Sequence, residues 1–160
     1  MTDLKLPALD PATVEERIGS DYPEPFGGQV GARRKRALGD ALGLCNYGVN
    51  LVEVPAGALS TMRHWHDKQD EFVYVLEGEL TLITDGGEQV LTAGMAAGFP
   101  AGSGDGHQMV NRSAARAVYL EIGDRLPGDQ VHYSDVDLAL PRATGDGLGL
   151  AFTHKDGTPY

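Results

Sequence analysis

Basic residues are scarce in this chain: 13 lysines and arginines stand against 23 acidic residues, a formal charge of −10. A field of that sign repels phosphate on approach, so a nucleic-acid or anionic-membrane surface is excluded and a neutral or cationic small ligand is expected. Cysteine is nearly absent. Cys45 stands alone, which removes any intramolecular disulfide and gives no sign of an oxidising compartment. Within LGLCNYGVNLVEV it is expected to be a small buried apolar residue. Long hydrophobic runs are also missing. No window approaches the ~18 apolar residues of a membrane span, and MTDLKLPALDPATVEERIG has no basic segment leading into an apolar one. A soluble, cytoplasmic protein without a membrane partner is expected. Repeats of 20 to 50 residues and low-complexity tracts are absent as well. A chain of 160 residues then reads as one domain, large enough to bury a core unaided.

Turn residues are plentiful, with 22 glycines and 9 prolines. Short apolar runs fall between them, which predicts an all-β class with few helices. Asp10 as N-cap, Pro11 at the first helical position and Gly19 as a stop predict a short N-terminal helix over DPATVEERIG. The basic run RRKR at 33–36 reads as a solvated edge strand balancing local acidic charge. From residue 44 to 123 strands dominate: VNLVEVPAG alternates, EFVYVLEGELTLIT is β-branched and aromatic, and DGG at 85–87 turns a hairpin into EQVLTAG. HQMVN and ARAVYLEIG follow, and this regular spacing suggests a sandwich or barrel. The tail, 124–160, is polar and turn-rich, and is expected to wrap the outside or form an interface.

The chemistry gathers in GALSTMRHWHDKQDEFVYVLEGEL. On a strand His64 and His66 share one face and Trp65 takes the other. The turn DKQ then leads to Asp70 and Glu71, and if the two strands pair, one acid returns beside the imidazoles. His107 heads a later strand, with Met109 and Asn111 on its face. Three imidazoles and a carboxylate make a nitrogen and oxygen site that suits iron, manganese, nickel or zinc rather than calcium or magnesium. His132 and His154 are expected to be ordinary surface or core residues.

Gly57, His64, His66, Glu71 and Gly78 resemble the first cupin motif: a glycine, an HxH pair, a glutamate, and a glycine after six more residues. Gly94, Pro100, Gly102, His107 and Asn111 resemble the second. The resemblance covers roughly 44–123 and implies a single jelly-roll β-barrel with extended terminal arms and a divalent transition metal inside one mouth. Its implied ligands are His64, His66, Glu71 and His107; the spacing to Gly78 selects Glu71 over Asp70, which becomes an outward or supporting group. Two spacings depart from the pattern. Six residues separate Gly57 from His64, one more than usual. Four, SGDG, separate Gly102 from His107 where two are usual, a lengthening expected to displace His107 or to bring Asp105 towards the metal. The chain divides on this reading into an N-terminal arm (1–43), a barrel core (44–123) and a C-terminal arm (124–160) that packs on the barrel or on a dimer partner.

The resemblance extends to bacterial single-domain cupins loosely labelled sugar-phosphate isomerases, a label that rests on fold analogy. The expected function is a metal-binding cupin that acts on or binds a small organic molecule, as an oxygenase or isomerase type of enzyme. The alternatives are a non-catalytic ligand-binding or metal-binding module, a structural cupin with an empty site, and a sugar-phosphate isomerase. Candidate helper residues are Met62, Tyr74, Phe99, Met109, Tyr119 and Glu121, of which strand parity alone does not say which face inward. By strand parity Arg63 and Arg112 point outwards, so the pocket is expected to be short of cations unless RRKR or Lys155 supplies them. Exposed sheet edges and long arms predict a homodimer.

Overall fold

The structure, a computed structural model, describes residues 4–140 and 152–160. Strands carry it: β1 (Arg17–Ile18), β2 (Arg34–Ala37), β3 (Tyr47–Val54), β4 (His64–His66), β5 (Glu71–Glu77), β6 (Glu79–Thr84), β7 (Gly87–Thr92), β8 (Ala96–Phe99), β9 (Gln108–Val110), β10 (Ala117–Asp124), β11 (Val131–Tyr133) and β12 (Ala139–Leu140). Two single-turn helices, α1 (Phe26–Gln29) and α2 (Leu38–Ala41), flank β2. The expected N-terminal helix is one 3-10 turn, Pro11–Thr13, with Asp10 accepting from the Ala12 N–H as its cap. It goes no further because so short a helix is marginal by itself and tertiary partners claim the next residues. The Val14 carbonyl accepts from Arg36, Glu16 pairs with Arg36, and Arg17 and Ile18 pair with β2.

The strands form two layers. One is a six-stranded antiparallel sheet in the order β1-β2-β3-β10-β5-β8. The other is built from two three-stranded sheets, β7-β6-β9 and β12-β11-β4, linked where His64 bridges His107. The ladders remain three separate sheets, so the jelly roll closes by packing rather than by one continuous hydrogen-bonded ring. Val52, Val54, Val73, Val75, Ala117 and Tyr119 from the first layer meet Leu80, Leu82, Leu91 and Met109 from the second. Burying each large aliphatic side chain contributes about 1.5–3 kcal/mol, which makes this cluster the main source of stability.

The inner face of the large sheet changes character along its length. Val75, Tyr119 and Val52 lie in cross-strand register, and two residues on, Val73, Glu121 and Asn50 do the same. Glu71 ends the row. Because side chains alternate faces, parity that buries the valines at one end places Glu71, Glu121 and Asn50 inside at the other. Strands from outside 44–123 complete this end: β2 pairs with β3, and β11 pairs with β4. The tail therefore builds a wall of the structure instead of only wrapping it. RRKR is not an edge strand either, since β1 lies beyond β2. Cys45 is exposed, a correction of the buried residue expected; it lies in the loop before β3, where no facing layer covers it.

Candidate metal centre

The cluster lies between the layers. Glu71 comes from the large sheet, His64 and His66 from β4 opposite, and His107 from the residue leading into β9. His64 and His107 are fixed to each other by backbone hydrogen bonds in both directions, at 3.2 and 2.9 Å. Glu71 Oε2 lies 3.5 Å from His64 Nε2, 3.6 Å from His66 Nε2 and 3.0 Å from His107 Nε2. Ligand atoms bound at about 2.0–2.2 Å to one ion stand roughly 3.0–3.5 Å apart, close to each of these spacings from Glu71. Glu71 Oε2 is also buried without a hydrogen-bond partner among the described residues. An orphaned buried carboxylate oxygen is costly, and a cation at the centre of three imidazoles would remove that cost. His64, His66 and Glu71 satisfy metal-cluster geometry as a group, with ligand atoms within 4.8 Å of one another.

The other ring nitrogens orient the site. His64 Nδ1 bonds the Met62 carbonyl at 2.9 Å, which makes Nδ1 the protonated nitrogen and leaves Nε2 its lone pair. His66 Nδ1 bonds the Asp129 carboxylate at 2.5 Å with the same effect. Such outer partners fix tautomer and ring orientation at metal sites. His107 is held by packing: Phe99 stacks on it with centroids 3.6 Å apart and planes 5° from parallel, while its Nδ1 finds no partner among the described residues.

Electrostatics agree with a carboxylate among imidazoles. Burial works against a charged Glu71, yet contacts with His107 and His64 hold its carboxyl well below the usual range. Burial also opposes charge on His64, but Glu71 outweighs it and lifts that pKa. Burial, aided by His64, pushes His107 down.

The lengthened loop does not displace His107. Gly102, at φ +66°, donates its N–H to the His66 carbonyl and anchors the loop, and Asp105 turns away to accept from the Asp85 N–H. Asp70 accepts from the Ala101 N–H and also stays out of the cluster. Of the helper residues, Phe99 supports His107, and Met109, Tyr119 and Glu121 line the cavity beside it. Tyr74 is on the outer face and Met62 is buried in a separate cluster with Phe26 and Tyr133. His132 and His154 bond Asp67 and Asp137 instead, and Arg63 and Arg112 pair with surface carboxylates.

The cavity has two parts. About 120 Å³ lies against His64, Glu71, His107 and Glu121, and about 280 Å³ lies on the other side of His64 and Arg33. An open groove of about 980 Å³ beneath the N-terminal arm is larger but has none of the cluster; it shares Arg17 and Lys35 with the second part. The run RRKR supplies the cations that the barrel strands lack, because Arg33 and Lys35 line the cavity. The signal was the run RRKR: alternation turns Arg34 and Arg36 out towards Glu16 and Arg33 and Lys35 in. Asp129 carried no comparable signal, since only the pairing of β11 with β4 brings its loop to His66.

The family model described as Cupin domain matches residues 50–123. A sugar phosphate isomerase from a cupin superfamily from Silicibacter pomeroyi is 47% identical, with 96% of each chain covered and a TM-score of 0.90. This chain belongs to the cupin superfamily. A protein named as a candidate sugar phosphate isomerase from Acidithiobacillus ferrooxidans is 30% identical over 84% of this chain and 81% of its own, with a TM-score of 0.72. The polyketide cyclase RemF from Streptomyces resistomycificus, 22% identical over 81% of this chain and 85% of its own, has a TM-score of 0.64 and shares the fold alone. No curated protein matches this cupin. Among the described residues, no helix is long and apolar enough to cross a membrane.

Proposed function

We propose that this cupin holds a divalent transition metal through His64, His66, His107 and Glu71 and uses it to bind and act on a small organic molecule. The convergence of three Nε2 atoms on the orphaned Glu71 Oε2 carries the reading. Nitrogen and carboxylate donors select iron, manganese, nickel or zinc. An ion held by these four side chains would supply Lewis acidity to a small molecule bound beside it. The chain's own residues do the rest: His66 is held by Asp129, His107 by Phe99, and Tyr119 and Glu121 face the cavity with Tyr119 donating to Glu121 at 3.4 Å. Elemental analysis of protein purified without an affinity tag tests the metal. About one ion per chain in the wild type, lost in His64→Ala and His66→Ala with the β-rich circular dichroism retained, supports the reading; equal metal content in wild type and variants overturns it.

Isomerisation of a sugar phosphate is the second reading, supported by the name of the 47% identical relative. A metabolite panel incubated with the metal-loaded protein separates turnover from a binding module, which would retain one ligand stoichiometrically and release no product.

A further inference from the structure

The cavity carries charge that the cluster does not use. Lys35 lies opposite Val52 in register and shares its inward face, and Arg33 precedes it by two residues on the same side. The Arg33 guanidinium is fixed by the Ser60 carbonyl at 2.8 Å and the Gly19 carbonyl at 3.4 Å, yet its Nε is buried without a partner among the described residues. Ser20 Oγ, on the same wall, is also buried without a partner among the described residues. Among the described residues neither Arg33 nor Lys35 has a carboxylate within ion-pair distance, whereas Arg17 and Asp21 in the same cavity pair with each other. Burial lowers the Lys35 pKa, and Glu121 only partly offsets it. Arg33, Lys35 and Ser20 thus line about 280 Å³ of space that His64 and His66 border from the metal side. With a divalent ion bound, the ion, Arg33 and Lys35 outweigh the carboxylates of Glu71, Glu121 and Asp129.

We propose that Arg33, Lys35 and Ser20 form an oxyanion subsite, so that the ligand of this cupin is a small oxyacid, a carboxylate or a phosphate monoester, whose far end reaches the metal. The inference rests on the metal reading above. It reverses the neutral or cationic ligand that net charge suggests, because net charge describes the outer field whereas recognition depends on the groups lining the cavity. An arginine with its fork partly fixed and a lysine short of a counter-charge are the groups that bind such anions, through charge-assisted hydrogen bonds. A cavity of about 120 Å³ beside the cluster and about 280 Å³ beyond it limits the ligand to a small molecule.

Calorimetric titration of metal-loaded protein with inorganic phosphate, with glycolate and with neutral sorbitol tests this, with metal content measured in every sample. Wild type is expected to bind at least one of the two anions and not sorbitol. Lys35→Gln should weaken that binding about 10-fold or more at unchanged metal content, and Arg33→Lys should weaken it by keeping charge but losing the fork. The Lys35 side chain has no ion-pair partner among the described residues, so its variant reads binding even if Arg33 variants fail to fold. Tighter phosphate marks a phosphate monoester as the ligand, tighter glycolate a carboxylate, and either supports the subsite. No anion binding by metal-loaded wild type, or binding unchanged in Lys35→Gln, overturns it. Wild-type protein without metal would instead defeat the metal reading, which the metal content reports separately.

Discussion

Asp129 is the residue on which the orientation of His66 depends, through a bond to Nδ1 that leaves Nε2 aimed at Glu71. Asp129→Asn keeps the shape but loses the charge that favours this tautomer. Metal affinity is expected to fall roughly 10- to 100-fold, measured by competition with a chelator; unchanged affinity would show that His66 is held by packing alone. Acid acts on the same atoms. Metal binding needs neutral imidazoles and an ionised carboxylate, so release is expected between roughly pH 6 and pH 4, with more than one proton taken up per ion. Metal content after dialysis across that range measures it, and full retention at about pH 4 would place the ligands elsewhere. In the metal-free protein Glu71 has a pKa below its unfolded value. Its contribution to stability is therefore present above about pH 4.3 and lost as pH falls through the lowered folded value. Glu71→Gln should flatten the fall of Tm on the acid side relative to wild type, and parallel curves would deny Glu71 that role.

At the scale of elements, the join between β5 and β6 needs a residue without a side chain. Gly78 has φ +75°, and a Cβ there would lie 2.6 Å from the Arg116 carbonyl oxygen and 3.0 Å from Ala117 Cα, both backbone. Gly43 has a similar φ of +72° with open space around it. Gly43→Ala should cost about 1–2 kcal/mol from conformation alone. Gly78→Ala adds steric conflict worth about another 1–3 kcal/mol. At roughly 2–4 °C per kcal/mol for a chain of this size, Tm should drop visibly further in Gly78→Ala, as thermal denaturation will show; equal drops would mean that the join relaxes freely. Strand β2 shows what alternation does to a charge run. Its two outward arginines tie down the N-terminal arm through Glu16, while Lys35 on the other face enters the cavity.

For the whole molecule, the outer face of the large sheet is unusually apolar. Phe72, Tyr74 and Leu76 on β5 are 41%, 39% and 44% exposed, and Leu120 and Ile122 of β10 lie beside Tyr74 and Phe72 in register. A contiguous apolar face of this kind marks an interaction surface. A homodimer through it is expected, and Leu76→Arg should shift sedimentation towards monomer. Wild-type protein sedimenting as a monomer of about the chain mass, 17.0 kDa, at micromolar concentration would remove the dimer.

Local pattern in the sequence was enough for the β class, the hairpin at Asp85–Gly87 and the shared face of His64 and His66, because strand alternation is a property of neighbouring residues, whereas the choice of Glu71 over Asp70 came from the likeness to the first cupin motif. The N-terminal helix signal gave only one turn, since the cap is local but continuation lost to pairing with β2. Cys45, Arg33, Lys35 and Asp129 were decided by tertiary structure. Which face of β2 meets the cavity depends on its register with β3, and whether Asp129 reaches His66 depends on β11 pairing with a strand more than 60 residues earlier. Those contacts join distant parts of the chain, and their register is set by how the two layers pack.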